Sequence, residues 1–111
     1  TDLELHYSFV EFDGQFLIKQ RKDDFIWKKL YEFPIEIPVE WHEFQIKEKT
    51  ITHKLTHKNL TIQMSHIVLE SEDIFTEFAA ENGFSIINEE ESHQKSFPKP
   101  LENYLTELNL S

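Results

Sequence analysis

The dipeptide Asp13-Gly14 stands between two β-rich runs, LHYSFVEF from Leu5 to Phe12 and QFLIKQR from Gln15 to Arg21. A two-residue type I′ turn needs positive φ at both central residues, and Asp-Gly supplies this at low steric cost. The first element is therefore an antiparallel β-hairpin, and the rest of the chain must cover its apolar residues. At 111 residues with 39% apolar content, there is mass for one core and too little for two. The expectation is a single domain over residues 1–111. Ten Phe, three Tyr and two Trp supply large apolar bodies to close it.

Beyond the hairpin, RKDDFIWKKLYEFPIEIP sets Trp27, Leu30, Tyr31 and Phe33 too closely for a helical period, and Pro34 and Pro38 preclude a long helix. This predicts an irregular loop feeding a short strand near Leu30 to Phe33. The next stretch, VEWHEFQIKEK, is open between a turn or two of helix and a strand near its end. From Lys58 to Glu70, Leu60, Ile62 and Met64 share a face while Ile67 and Leu69 fall out of phase, which predicts a strand bulged near Ser65. In EDIFTEFAAENG the helical spacing of Ile74, Phe75, Phe78 and Ala79, with Gly83 as a stop, predicts a helix of a turn or two. Phe84 to Asn88 reads as a strand and EEESHQ as a polar helical turn. A terminal helix follows Pro100, with Leu101, Tyr104, Leu105 and Leu108 on one face. The order describes an α+β domain with a mostly antiparallel or mixed sheet.

Net charge is −10, which by itself opposes nucleic-acid binding, but the charge is divided along the chain. Gln15 to Lys58 carries nine Lys or Arg against seven Asp or Glu, whereas the other residues hold two Lys and fourteen acids. The absence of Cys excludes a thiolate metal site, an iron-sulfur cluster and a Cys nucleophile within this chain, and suits a reducing cytoplasm. No apolar run reaches the roughly 20 residues of a membrane span, and TDLELHYSF has no signal-peptide pattern. The chain reads as soluble and, opening without Met, as a piece of something longer.

The stretch THKLTHKNLTIQ concentrates the candidate chemistry. On a helix, His53 and His57 at i, i+4 would share a face and with His66 could offer three imidazoles to a metal. The segment is Thr-rich and leads into a strand, and no carboxylate or Cys stands at ligand spacing, which weighs against that geometry. With only Gly14 and Gly83 in the chain, a Gly-x-Ser-x-Gly nucleophile turn and a phosphate-cradling Gly loop are both excluded. A grip on nucleic acid remains, because KEKTITHKLTHK holds four Lys and two His against one Glu. Lys47, Lys49, Lys54 and Lys58 could meet phosphates while Thr56 and His57 face a base edge. An exposed basic loop between strands is the alternative.

Four blocks, FVEFDGQFLIKQR, WKKLYEFP, ITHKLTHKNLTI and FPKPLENYL, resemble in order and spacing the C-terminal domain of MutY-type adenine DNA glycosylases. The matching positions are Leu17 and Arg21, then Trp27, Leu30, Tyr31, Phe33 and Pro34, then His53, Leu55, Thr56 and His57. Nearly the whole chain is covered. The resemblance implies a Nudix-like fold, a mixed or antiparallel sheet flanked by short helices, and recognition of 8-oxoguanine opposite misincorporated adenine in base-excision repair. It points to lesion or DNA contact at Thr56 and His57 with Leu55 beside them, and local charge adds Lys54 and Lys58 as phosphate contacts; Trp27 and Tyr31 read as loop supports because large aromatics in a small domain are usually packed, and His53 as a brace through its ring N–H. It implies no catalytic group, metal or cofactor in this chain. Adenine excision and an iron-sulfur cluster belong to a separate N-terminal catalytic domain, the expected partner together with 8-oxoguanine:adenine duplex DNA, in the bacterial cytoplasm at the nucleoid. Leu55 and Thr56 depart from the Phe and Ser usual in the loop; Thr keeps a hydroxyl, while Leu loses an aromatic face.

Two other readings come from different classes. A Nudix hydrolase acting on oxidised nucleotides needs Gly, five residues, Glu, seven residues, Arg-Glu and a further Glu pair to hold Mg²⁺. Gly83 reaches Glu89, but the Arg-Glu positions hold Phe97 and Pro98, and Gly14 reaches Gln20, so the box is degenerate. An acidic protein-interaction module is the other, and it fits the charge of the remainder.

Overall fold

In the computed structural model, which describes residues 2–22 and 26–110, six strands form one mixed sheet. They are β1 (Leu3–Phe12), β2 (Gln15–Gln20), β3 (Tyr31–Glu32), β4 (Gln45–Lys54), β5 (Asn59–Val68) and β6 (Ser85–Asn88). A 3₁₀ helix (Val39–Phe44) precedes β4, and three helices follow β5 onward: α1 (Glu72–Asn82), α2 (Glu89–Ser92) and α3 (Lys99–Leu110). The α+β class and the mixed sheet are as the sequence predicts.

The β1–β2 hairpin forms at Asp13-Gly14, where φ is 50° and 80°, as a type I′ turn requires. On its other edge β1 lies parallel to β5, in unbroken register from Leu3 opposite Leu60 to Glu11 opposite Val68. β4 pairs antiparallel with β5, giving the order β3-β2-β1-β5-β4. β6 runs beside the first four residues of β2 and β3 beside the last two.

Both faces of this sheet are covered. Alternate residues Tyr7, Phe9, Phe16, Ile18, Leu60, Ile62 and Met64 point into one core, closed by Phe33, Phe97, Leu101 and Tyr104. The opposite residues Val10, Leu17 and Ile67 enter a second core with Trp41, Leu69, Phe75 and Ala79. This arrangement corrects the bulge expected near Ser65. β5 keeps its alternation through His66, and Ile67 is buried because the other face is also covered there, not because the strand slips. The register irregularity lies instead on β4, between Gln45 and Lys47.

α1 runs three turns, longer than the turn or two expected. Ser71 accepts a hydrogen bond from the Ile74 N–H at its start, and Gly83 closes it at φ 72°. The stretch left open after Pro38 is both alternatives in succession, a 3₁₀ helix and then the ten residues of β4. The irregular loop expected after Arg21 is present in part, and its residues 23–25 lie outside the described ones. α3 begins at Lys99, one residue before Pro100, which suits a residue without an N–H in the first turn.

Leu101 is fully buried where α3 closes the first core. Leu101→Ala should lower stability by about 2–5 kcal/mol, the range for removing a buried leucine side chain. Urea unfolding checks this through a reduced midpoint at unchanged slope.

Candidate functional site

Arg21 directly follows β2 and ties down the loop that begins there. Its N–H donates to the Leu30 carbonyl at 2.8 Å and its carbonyl accepts from the Lys29 N–H at 3.2 Å. Its side chain turns inward, donating from Nε to the Ile26 carbonyl at 3.1 Å and from Nη1 to Glu32 Oε1 at 2.5 Å. The Tyr7 hydroxyl donates to the same carboxylate oxygen at 2.7 Å and accepts from Arg21 Nη1 at 3.3 Å. Burial opposes the Arg21 charge, but the Glu32 carboxylate and the Tyr7 oxygen outweigh it and hold its pKa above the ordinary value. Burial, reinforced by Glu32, pushes the Tyr7 phenol well above the usual tyrosine range.

This anchor holds a strained segment. Trp27 and Lys29 have φ of 54° and 67°, left-handed values that cost a non-glycine residue about 1–2 kcal/mol each. Gln20 Nε2 donates to the Lys29 carbonyl at 2.9 Å, a second tie on the same turn. The outcome is that the Trp27 ring packs against the first core with its centroid 6.5 Å from that of His53. The loop is thereby fixed against β4.

His53 lies near the end of β4, opposite Leu60 of β5. Beyond it the chain reverses through Leu55-Thr56-His57-Lys58, closed by the Leu55 N–H donating to the Lys58 carbonyl at 2.7 Å. Leu55 is half-buried on the first core. Thr56 and His57 are exposed at the tip, Lys54 is exposed, and Lys58 is half-buried. Trp27 and His53 therefore meet beside the tip, whereas Tyr31 is placed elsewhere. Its N–H donates to the Ser96 carbonyl at 2.8 Å and its ring lies 6.3 Å from Phe97.

The hairpin also disposes of the three-imidazole arrangement. His53 and His57 flank a turn instead of sharing a helical face. His66 is six residues along β5 from Leu60, the partner of His53, and so about 20 Å away at 3.3–3.4 Å per residue. Its Nε2 sits 2.7 Å from Glu11 Oε1 on another part of the sheet. Among the described residues, no group of three or more His, Asp or Glu side chains is gathered to hold a metal ion.

The Tyr7–Arg21–Glu32 cluster was missed from the sequence, apart from Arg21 as a motif position. Its members are separated by 11 to 25 residues, and no spacing rule joins them. The only local signal was an Arg at the end of an apolar strand.

Two predictions follow from this chemistry. Glu32→Ala leaves the Arg21 guanidinium buried without its carboxylate and should cost about 3–5 kcal/mol, measured by urea unfolding, whereas Glu32→Gln, which keeps an acceptor, should cost less. The tyrosines give a pH dependence. Burial, with Glu11 and Glu107 adding, pushes Tyr104 from 10.0 up to about 12, and Tyr7 is raised as well. A folded pKa above the unfolded one means that stability is fully present below pH 10 and falls as pH rises toward 12, because the unfolded tyrosines lose their protons first. Denaturation at stepped alkaline pH, with tyrosinate absorbance followed in parallel, checks both the sign and the window.

Among the described residues no helix is long and apolar enough to cross a membrane. Residues 7–107 match the family model of the NUDIX domain. No curated protein matches the chain significantly.

Proposed function

This chain belongs to the NUDIX domain family, and within that family we propose that it is a non-catalytic lesion-recognition domain of an adenine DNA glycosylase. In this reading it senses 8-oxoguanine opposite adenine, forms one domain of a longer protein, and acts in the bacterial cytoplasm alongside an N-terminal catalytic domain that excises the adenine. The observation that carries the reading is the β4–β5 tip. Thr56 and His57 are the exposed polar side chains of a turn whose flanks, Leu55 and His53, are braced on the core and on Trp27. A rigid support with polar groups at its end suits reading a base edge, and Lys54 beside it suits a phosphate.

The hydrolase reading has no comparable support. Counted on from Gly83 and Glu89, the positions of Arg-Glu in a Mg²⁺-binding box are Phe97 and Pro98, and both are buried. Neither offers an oxygen ligand from its side chain.

The test is a pair of variants in the full-length protein, with binding measured to duplexes carrying 8-oxoguanine or guanine opposite adenine. Thr56→Ala with His57→Ala should reduce the preference for the lesion by about 1–3 kcal/mol, the scale of a specific base contact. Lys54→Ala should weaken both duplexes alike, because a phosphate contact carries no base information. Unchanged discrimination in a double variant with an unaltered Tm would refute lesion reading by this tip.

A further inference from the structure

The second core leaves part of its apolar surface open between the 3₁₀ helix and α1. A groove runs there over Trp41, Phe44 and Phe78, with Ile74 on its wall. The ring centroids of Trp41 and Phe78 are 4.7 Å apart, so the groove lies over aromatic packing, with the half-buried Phe44 and Phe78 reaching its surface above the buried Trp41. Ile74 is 47% exposed, and Val39, between the lining residues Pro38 and Glu40, is 79% exposed. Such residues have no packing role that requires them to face water.

The rim has one sign of charge. Glu40 and Glu43 from the 3₁₀ helix face Glu77 and Glu81 from α1 across the groove, and no Lys or Arg lines it. The surrounding sequence sharpens this, since Glu70 to Gln94 contains eight acids and not one Lys or Arg. An acidic rim over an apolar floor repels another acidic surface and favours a segment with apolar anchors flanked by basic side chains.

We propose that this groove is a docking site for a basic amphipathic protein segment, one or two apolar side chains seated on Phe44, Phe78 and Ile74 and flanking Lys or Arg against the four glutamates. The site is independent of the reading given to the hairpin tip. It lies at the start of β4 and the tip at its end, ten residues or about 30 Å away, so both can be occupied together.

The probe is a fluorescein-labelled helical peptide of Leu and Lys with Leu at i, i+3, i+4 and i+7, compared with its Leu and Glu counterpart by anisotropy. The Leu/Lys peptide should bind and the Leu/Glu peptide should not. Ile74→Asp should weaken binding about tenfold or more although it makes the protein more acidic, which separates apolar docking from attraction to net charge. It lies in the first turn of α1, where an acid is favourable, so the fold should persist. Glu77→Lys with Glu81→Lys should also weaken binding, while Asp2→Lys with Glu90→Lys, the same change in net charge elsewhere, should not. Equal losses from the two charge reversals, or no loss with Ile74→Asp, would overturn the proposal. A dimer seen in sedimentation and abolished by Ile74→Asp would give the groove to a second copy and overturn it equally.

Discussion

The parallel pairing of β1 with β5 is the constraint on which the other elements depend. A tight turn cannot join parallel neighbours, so everything from Asp13 to Lys58 serves as the connection between them. That connection contains the Asp13-Gly14 turn, β2, the Arg21-anchored loop, β3, the 3₁₀ helix and β4. With β2 on one side and β5 on the other, β1 is central and buried on both faces toward its end. Helices must then cover both sides, α3 over the first core, and α1 with the 3₁₀ helix over the second.

The Tyr7–Arg21–Glu32 cluster works on a smaller scale. A buried ion pair contributes little net stability, because desolvation offsets most of the attraction. What it does here is geometric. The loop returns so that the Leu30 carbonyl meets the Arg21 N–H and the Ile26 carbonyl meets its Nε, and that path carries Trp27 to His53. Left-handed residues at Trp27 and Lys29 are tolerated because the surrounding hydrogen bonds determine their positions.

The charge division in the sequence does not carry over into space: Glu40 and Glu43 of the groove belong to the stretch with the basic excess, and the pairing of Glu4 with Thr61 sets an acid at the end of the sheet that bears the tip. Lys54 stands at the β4–β5 tip, and the glutamates of the groove stand at the other end of β4.

Local chemistry was legible without the structure. Asp13-Gly14 specified the first turn because few residue pairs accept two positive φ angles, and Gly83 specified the end of α1 for the same reason. The one-sided spacing of Leu101, Tyr104 and Leu105 specified α3, and four sequence blocks together pointed to the fold. Long-range pairing was not legible. Ile67 looked out of phase because a sequence shows alternation on one covered face and cannot show that a second face is also covered. That the acids of the groove rim border apolar side chains was not legible either, since Trp41 and Phe78 meet only when residues far apart in the chain pack together. The sequence by itself therefore determined the turns, the helix ends and the types of residue at the tip, which depend on backbone sterics within a few residues. Only the tertiary structure decided which carboxylate neutralises Arg21, which ring braces His53 and which apolar side chains remain uncovered, because each depends on groups brought together by burial.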